Sequence, residues 1–206
     1  MTGSNPLNEF TLRELRKLRS LRTPHGIQKF LDQMEYHLAD TAWSPRYVLR
    51  EETAHCLEGS IFAAAALRAI GHPPLLMDFE AVRDTDHVIA PFKLGGAWGA
   101  LAKSNYAGCR YREPVYRTLR ELAMSYFNDY FNLRRERTMR HFSRPVDLKR
   151  FDGRHWMTTD KQVWFIAEHL VDIPHTKALT PAMIRGLTPV DQRGLAAGLV
   201  GRRTVE

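Results

Sequence analysis

Thr53-Ala54-His55-Cys56-Leu57-Glu58-Gly59-Ser60 runs directly into Ile61-Phe62-Ala63-Ala64-Ala65-Ala66-Leu67-Arg68-Ala69-Ile70-Gly71. Apolar residues surround this segment on nearly every side, so it reads as a helix buried on most faces rather than one lying at the surface. Thr53 is the expected N-cap, Cys56 falls in the first turn, and Gly71 ends the helix as a C′ residue. A thiol in that first turn meets unpaired amide N–H groups and the positive end of the helix dipole, both of which favour the thiolate. A lone cysteine on an apolar helix is more often a small buried hydrophobe. The residues that follow therefore decide the reading.

After Gly71-His72-Pro73-Pro74 the stretch Leu75-Leu76-Met77-Asp78-Phe79 has the character of a short strand, and Arg83-Asp84-Thr85-Asp86 that of a polar bend. His87-Val88-Ile89-Ala90-Pro91-Phe92 is a second strand, Gly95-Gly96 a turn, and Ala97 to Lys103 a third strand. A tight turn on the two glycines makes facing residue numbers add to 191, which sets Ser104 opposite His87. A histidine acting as base for a thiol needs a partner that fixes its tautomer, and Ser104 and Asn105 are the candidates. Ser104 has the better parity and Asn105, through its amide carbonyl, the better chemistry. The expectation is that Cys56 alkylates at about pH 6 to 7, below the free-thiol pKa of about 8.5, while Cys109 does not.

Taken together, Ala54-His55-Cys56-Leu57-Glu58-Gly59, the alanine-rich helix, Leu67-Arg68-Ala69-Ile70-Gly71-His72-Pro73-Pro74, Asp86-His87 and the Gly95-Gly96-Ala97-Trp98 hairpin resemble a transglutaminase-like domain of the papain-like cysteine protease superfamily. The resemblance covers about residues 25 to 135, and it includes Lys103-Ser104-Asn105-Tyr106 and Arg110 to Arg117. It implies an α+β fold, with the Cys-bearing helix packed on a small antiparallel sheet. It also implies acyl transfer through a Cys56 thioester with His87 as base. In that superfamily an aspartate on the next strand completes the triad. No aspartate follows Trp98 within reach, which leaves the third position to Ser104 or Asn105.

The rest of the chain reads as support for that unit. With 206 residues and 44% apolar content it can bury one core. The expected division is a basic amphipathic helix within 1–22, a transglutaminase-like domain over 23–175 and a helical tail over 176–206. Thr11 and Glu14 form a capping box ahead of Leu12, Leu15 and Leu18, and such a helix commonly docks onto its own domain. Pro24 is the expected first residue of the next helix, and Pro114 of a longer one carrying Val115, Leu119, Leu122, Ala123, Tyr126, Phe127 and Tyr130. Thr138 to Leu148 suggests a strand and turn, and Asp160 the cap of a helix through Leu170. Thr180-Pro181 and Thr188-Pro189 each offer a helix start, and the last few residues are expected to be disordered.

Composition narrows the function classes. The 30 basic against 23 acidic residues give a net charge of +7, and Arg134 to Phe151 mixes cations with aromatics, as a nucleic-acid surface would. No nucleic-acid signature accompanies that stretch, so a solvated basic face is the preferred reading. The N-terminus Met1-Thr2-Gly3-Ser4-Asn5 lacks a secretory apolar region, no stretch is long enough to span a bilayer, and two cysteines are too few for a disulfide framework. A cytoplasmic location with reduced thiols follows as the expectation. His55, Cys56, Asp84, Asp86 and His87 lack metal-ligand spacing, and no phosphate-cradling loop or Gly-x-Ser-x-Gly is present, so no cofactor or metal is expected. The reading is a thiol-dependent amide or ester hydrolase, or an amine acyltransferase, acting on a peptide, protein or small amide. Its alternative is a catalytically weakened binding module for a peptide or an acidic partner.

Overall fold

The computed structural model describes residues 5–204. The expectations for Met1 to Ser4 and for the last two residues lie outside that range. The chain is mixed α+β, with a small antiparallel sheet and surrounding helices. In chain order the elements are α1 Leu12–Ser20, α2 Pro24–Gln33, β1 Glu35–Tyr36, α3 Pro45–Glu51, β2 Thr53–Ala54, α4 Cys56–Ala69, β3 Leu75–Ala81, β4 His87–Leu94, β5 Ala97–Leu101 and β6 Arg112–Tyr116. There follow α5 Leu119–Met124, β7 Met139–Ser143, β8 Val146–Asp147, α6 Trp164–Asp172, β9 His175–Lys177, α7 Pro181–Arg185 and α8 Gln192–Gly198.

The main sheet runs β6-β5-β4-β3-β7-β9, with β8 also pairing to β3, and every neighbouring pair is antiparallel. Alternation along β4 divides its side chains between two cores. Val88, Ala90 and Phe92 face the helical layer with α4, while Ile89 joins Met77, Phe79, Leu122 and Tyr126 on the other face. Through α4 every residue from Leu57 to Leu67 is buried, as its all-round apolar character requires. Each fully buried side chain of the size of Ile61, Phe62 or Leu67 contributes about 1.5–3 kcal/mol. Leu15 and Leu18 of α1 are buried in this same core, which docks the basic helix onto the sheet's helical layer.

Several local expectations are corrected. The N-cap of α4 is His55, and Thr53 instead pairs in parallel with Glu35. Pro114 lies in β6 rather than at a helix start, because Arg112-Glu113-Pro114-Val115-Tyr116 pairs with β5 across an irregular register that tolerates a missing N–H. The helix there is short, begins at Leu119 and is capped by Thr118. The cap of α6 is Val163 and that of α8 is Asp191, in place of Asp160 and Thr188. Near the chain end, the Asn105 side chain bonds both the backbone N–H and the carbonyl of Arg203 at 2.8 Å.

The hairpin between β4 and β5 has the expected register. Ala90 faces Leu101, Pro91 faces Ala100 and Leu94 faces Ala97, each pair adding to 191, with Gly95 and Gly96 at φ of 58° and 85°. The ladder stops at Leu101. Beyond it the Gln28 side chain takes both backbone groups of Ala102, accepting its N–H at 3.1 Å and donating to its carbonyl at 3.0 Å. Lys103 Nζ is drawn under α2, donating to the carbonyls of Leu31 and Met34. That buried ammonium sits at the negative end of the α2 dipole, and burial lowers its pKa to about 8.

Candidate active site

Tyr36, Cys56 and His87 border one cleft of about 660 Å³, shared with Asp84, Asp86, Ser104, Asn105, Tyr106 and Tyr130. Three separate pieces of local structure deliver the first three. Cys56 is the first residue of α4, where the helix leaves its leading N–H groups unpaired. Tyr36 comes alongside because β1 pairs with β2 and places Tyr36 opposite Ala54. His87 opens β4 with its imidazole among Phe79, Tyr126 and Tyr130.

The backbone N–H groups of Val88 and Leu57 and the Tyr36 hydroxyl lie near the thiol, and each favours the thiolate. Burial outweighs them and pushes the Cys56 pKa up, with the Asp78 charge adding to the rise. Burial also drives the Tyr36 pKa upward, so Tyr36 remains a protonated donor at this position.

The His87 imidazole is buried, and its Nε2 lies 3.0 Å from the Cys109 carbonyl oxygen. A carbonyl can only accept, so Nε2 carries the proton and Nδ1 is left with the lone pair in the neutral ring. Burial lowers the His87 pKa to about 4. Both groups are thus favoured in their neutral forms near pH 7, a tendency opposed to the expected thiolate at pH 6 to 7. Desolvation is the reason: it disfavours the charged form of each group.

Neither Ser104 nor Asn105 holds the imidazole. Ser104 Oγ accepts the Tyr106 N–H at 3.0 Å, and Asn105 is engaged with Arg203. Capture of Ala102 and Lys103 by α2 ends the ladder before position 104 is reached, which leaves the Cys109 carbonyl to set the tautomer. The nearby carboxylates are bonded elsewhere: Asp78 to His175 Nε2 at 3.0 Å, Asp84 to the Thr138 hydroxyl at 2.6 Å, Asp86 to the Ala81 N–H at 2.8 Å. Cys109 borders the same cleft. Its Sγ donates to the Asp129 carbonyl at 3.2 Å, and burial raises its pKa to about 12.

No family model matches this chain, and no curated protein does. The site must be read from its own chemistry.

Glu58, one turn along α4, is fully buried. Its carboxylate accepts from the Thr41 hydroxyl at 2.6 Å, the Trp43 N–H at 3.0 Å, His37 Nδ1 at 3.1 Å and the His55 N–H at 3.3 Å. His55 Nε2 in turn donates to the Thr41 carbonyl at 2.7 Å. The network pins the 37–43 loop against the residue that precedes Cys56. Neither the burial of Glu58 nor the place of Tyr36 beside Cys56 was among the expectations from sequence.

Two buried groups near the site oppose one another in their pH dependence. His87 binds its proton more weakly in the folded state, so between about pH 6.5 and 4 the unfolded chain binds more protons and stability falls on acidification. Asp78 is raised by burial from 3.8 to about 6, so the folded state binds the extra proton in that window and stability falls as pH rises through it. Replacing Asp78 with Asn removes the second contribution. The loss of stability from pH 6.5 to 4, followed by urea titration, should then steepen by roughly 2 kcal/mol relative to the wild type. A variant profile parallel to that of the wild type would contradict this pairing of effects.

Proposed function

We propose that this chain is a thiol-dependent acyl-transfer enzyme of papain-like, transglutaminase-like type, cleaving or transferring an amide or ester acyl group through Cys56. The observation that carries the reading is the convergence on one cleft of a helix-initial thiol, a hydroxyl donor from Tyr36 and a buried neutral imidazole of defined tautomer. His87 is the one imidazole among the residues bordering that cleft.

In the first half-reaction Cys56 Sγ attacks the acyl carbon, and the thiol proton passes to His87 Nδ1. The tetrahedral oxyanion is stabilised by the Cys56 backbone N–H and the Tyr36 hydroxyl. Collapse breaks the C–N or C–O bond, and the imidazolium returns its proton to the departing amine or alkoxide. Water or an amine then attacks the thioester, His87 takes its proton, and the thiol is regenerated as the acid or amide leaves. Because both groups are neutral at rest, proton transfer accompanies attack rather than preceding it. Holding the imidazolium with a carbonyl instead of a carboxylate makes this a slower catalyst than an aspartate-containing triad.

With p-nitrophenyl acetate as a generic acyl donor, the wild type should turn over with saturation. Cys56→Ala should fall to the uncatalysed background while Cys109→Ser stays near the wild type. Turnover retained in Cys56→Ala would sink the assignment.

A further inference from the structure

The strongest uncommitted feature of the cleft is a cation brought in by the chain end. After α8, Gly201 turns the backbone at φ of 72°, and Arg202 joins the residues bordering the thiol cleft. The segment is firmly placed. Ala107 N–H donates to the Gly198 carbonyl at 2.9 Å, and Gly198 lies so close to Phe131 that a Cβ there would sit 2.4 Å from the ring. Asn105 bonds both backbone groups of Arg203, whose side chain pairs with Glu35, the neighbour of Tyr36. The tail is thus tied both to Asn105 and to the residue that precedes Tyr36.

Within it, Arg202 rests against Tyr106, its guanidinium 5.8 Å from the ring centre. Its Nε is buried without a hydrogen-bond partner, the one buried side-chain nitrogen or oxygen in that condition among the described residues. Of the other charges bordering the cleft, Arg134 is exposed and makes no ion pair among the described residues, and the rest are engaged. Arg83 pairs with Glu136, Asp129 with Arg112, and Asp84 and Asp86 accept from Thr138 and Ala81. A half-buried guanidinium whose Nε–H is unsatisfied presents a planar fork suited to a planar, two-oxygen anion.

We infer that Arg202 is a specificity-determining residue of the thiol cleft, selecting an acyl donor that carries a carboxylate. This rests on the assignment of Cys56 as the nucleophile and names its substrate class, whether the carboxylate is a peptide C-terminus or an acidic side chain.

Iodoacetate and iodoacetamide test the inference directly, because both place a methylene on the thiol sulfur and expel iodide while differing in charge. The ratio of their rates at Cys56 should exceed the ratio measured on the unfolded chain by about tenfold, and should decline as salt screens the attraction. Arg202→Gln should bring the ratio down to the unfolded value, and Arg202→Lys should restore a large part of it. A wild-type ratio at or below the unfolded value, or a ratio unmoved by Arg202→Gln, overturns the inference; a ratio below it would mark Asp84 and Asp86 as the dominant field. Should neither reagent modify Cys56, the nucleophile assignment fails on its own. Arg202 is then judged by titrating the wild type with glutarate and following the Arg202 Nε–H resonance, where a saturable shift supports carboxylate binding and an unmoved resonance overturns it. With Cys56 reactive, a peptide ending in a free carboxylate and one with an amidated end and an internal glutamate separate the two sources by which slows iodoacetamide.

Discussion

Replacing Glu58 with alanine should destabilise the protein by roughly 3–5 kcal/mol, read as a shift of the urea midpoint at constant slope. The side chain has no exposure, and its two oxygens satisfy the Thr41 hydroxyl, the Trp43 and His55 N–H groups and His37. Truncation strands these donors in a dry interior, where each unsatisfied group costs about 1–3 kcal/mol. Glu58→Gln keeps the volume and one acceptor oxygen but turns an NH2 group toward donors, so its loss should fall between the wild type and alanine. A Glu58→Ala variant within 1 kcal/mol of the wild type would show that the network relaxes onto water at little expense. Because Glu58 holds the residue before Cys56, the surviving folded variant should also react more slowly with p-nitrophenyl acetate.

His87→Ala should lower the rate of Cys56 acylation by about 10²- to 10⁴-fold, the usual range for loss of a positioned general base. The thiol is held above its ordinary pKa by burial, so without an acceptor for its proton the attacking species is scarce at pH 7. The wild-type rate should persist down to about pH 5, since His87 remains an unprotonated acceptor until about pH 4. The variant rate should instead rise about tenfold per pH unit through neutrality, as hydroxide alone supplies thiolate. Stopped-flow release of p-nitrophenolate in a single turnover gives both profiles. Superimposable profiles in a folded variant would remove His87 from the mechanism.

How much of this was legible in the sequence depends on how local the determining contacts are. The hairpin register follows from Gly95 and Gly96 at its tip and the alternation beside them, and the observed pairs obey it. The α4 helix is legible because its apolar residues leave it no face for solvent. The partner of His87 was not, because the ladder is ended by contacts of α2 with Ala102 and Lys103, made by Gln28 and by the Leu31 carbonyl across 74 and 72 residues of sequence. Pro114 misled for a related reason. Alone it suits a helix start, but the free edge of β5 recruits its segment as a strand. Tyr36 belongs to a two-residue strand too short to show any period, and its place beside Cys56 depends on a parallel bridge to Ala54. Glu58 sits on a legible helix, yet its burial is decided by a loop 15 to 21 residues upstream.

The central claim is that Cys56 carries the acyl group. Brief exposure to p-nitrophenyl acetate, acid quenching and mass-spectrometric mapping test it most directly. The expected result is one acetyl group per chain on the Cys56 peptide, lost on treatment with hydroxylamine, much slower to form in His87→Ala, and no label on Cys109. A wild-type protein that turns over the ester with Cys56 unmodified and label on another residue would contradict it.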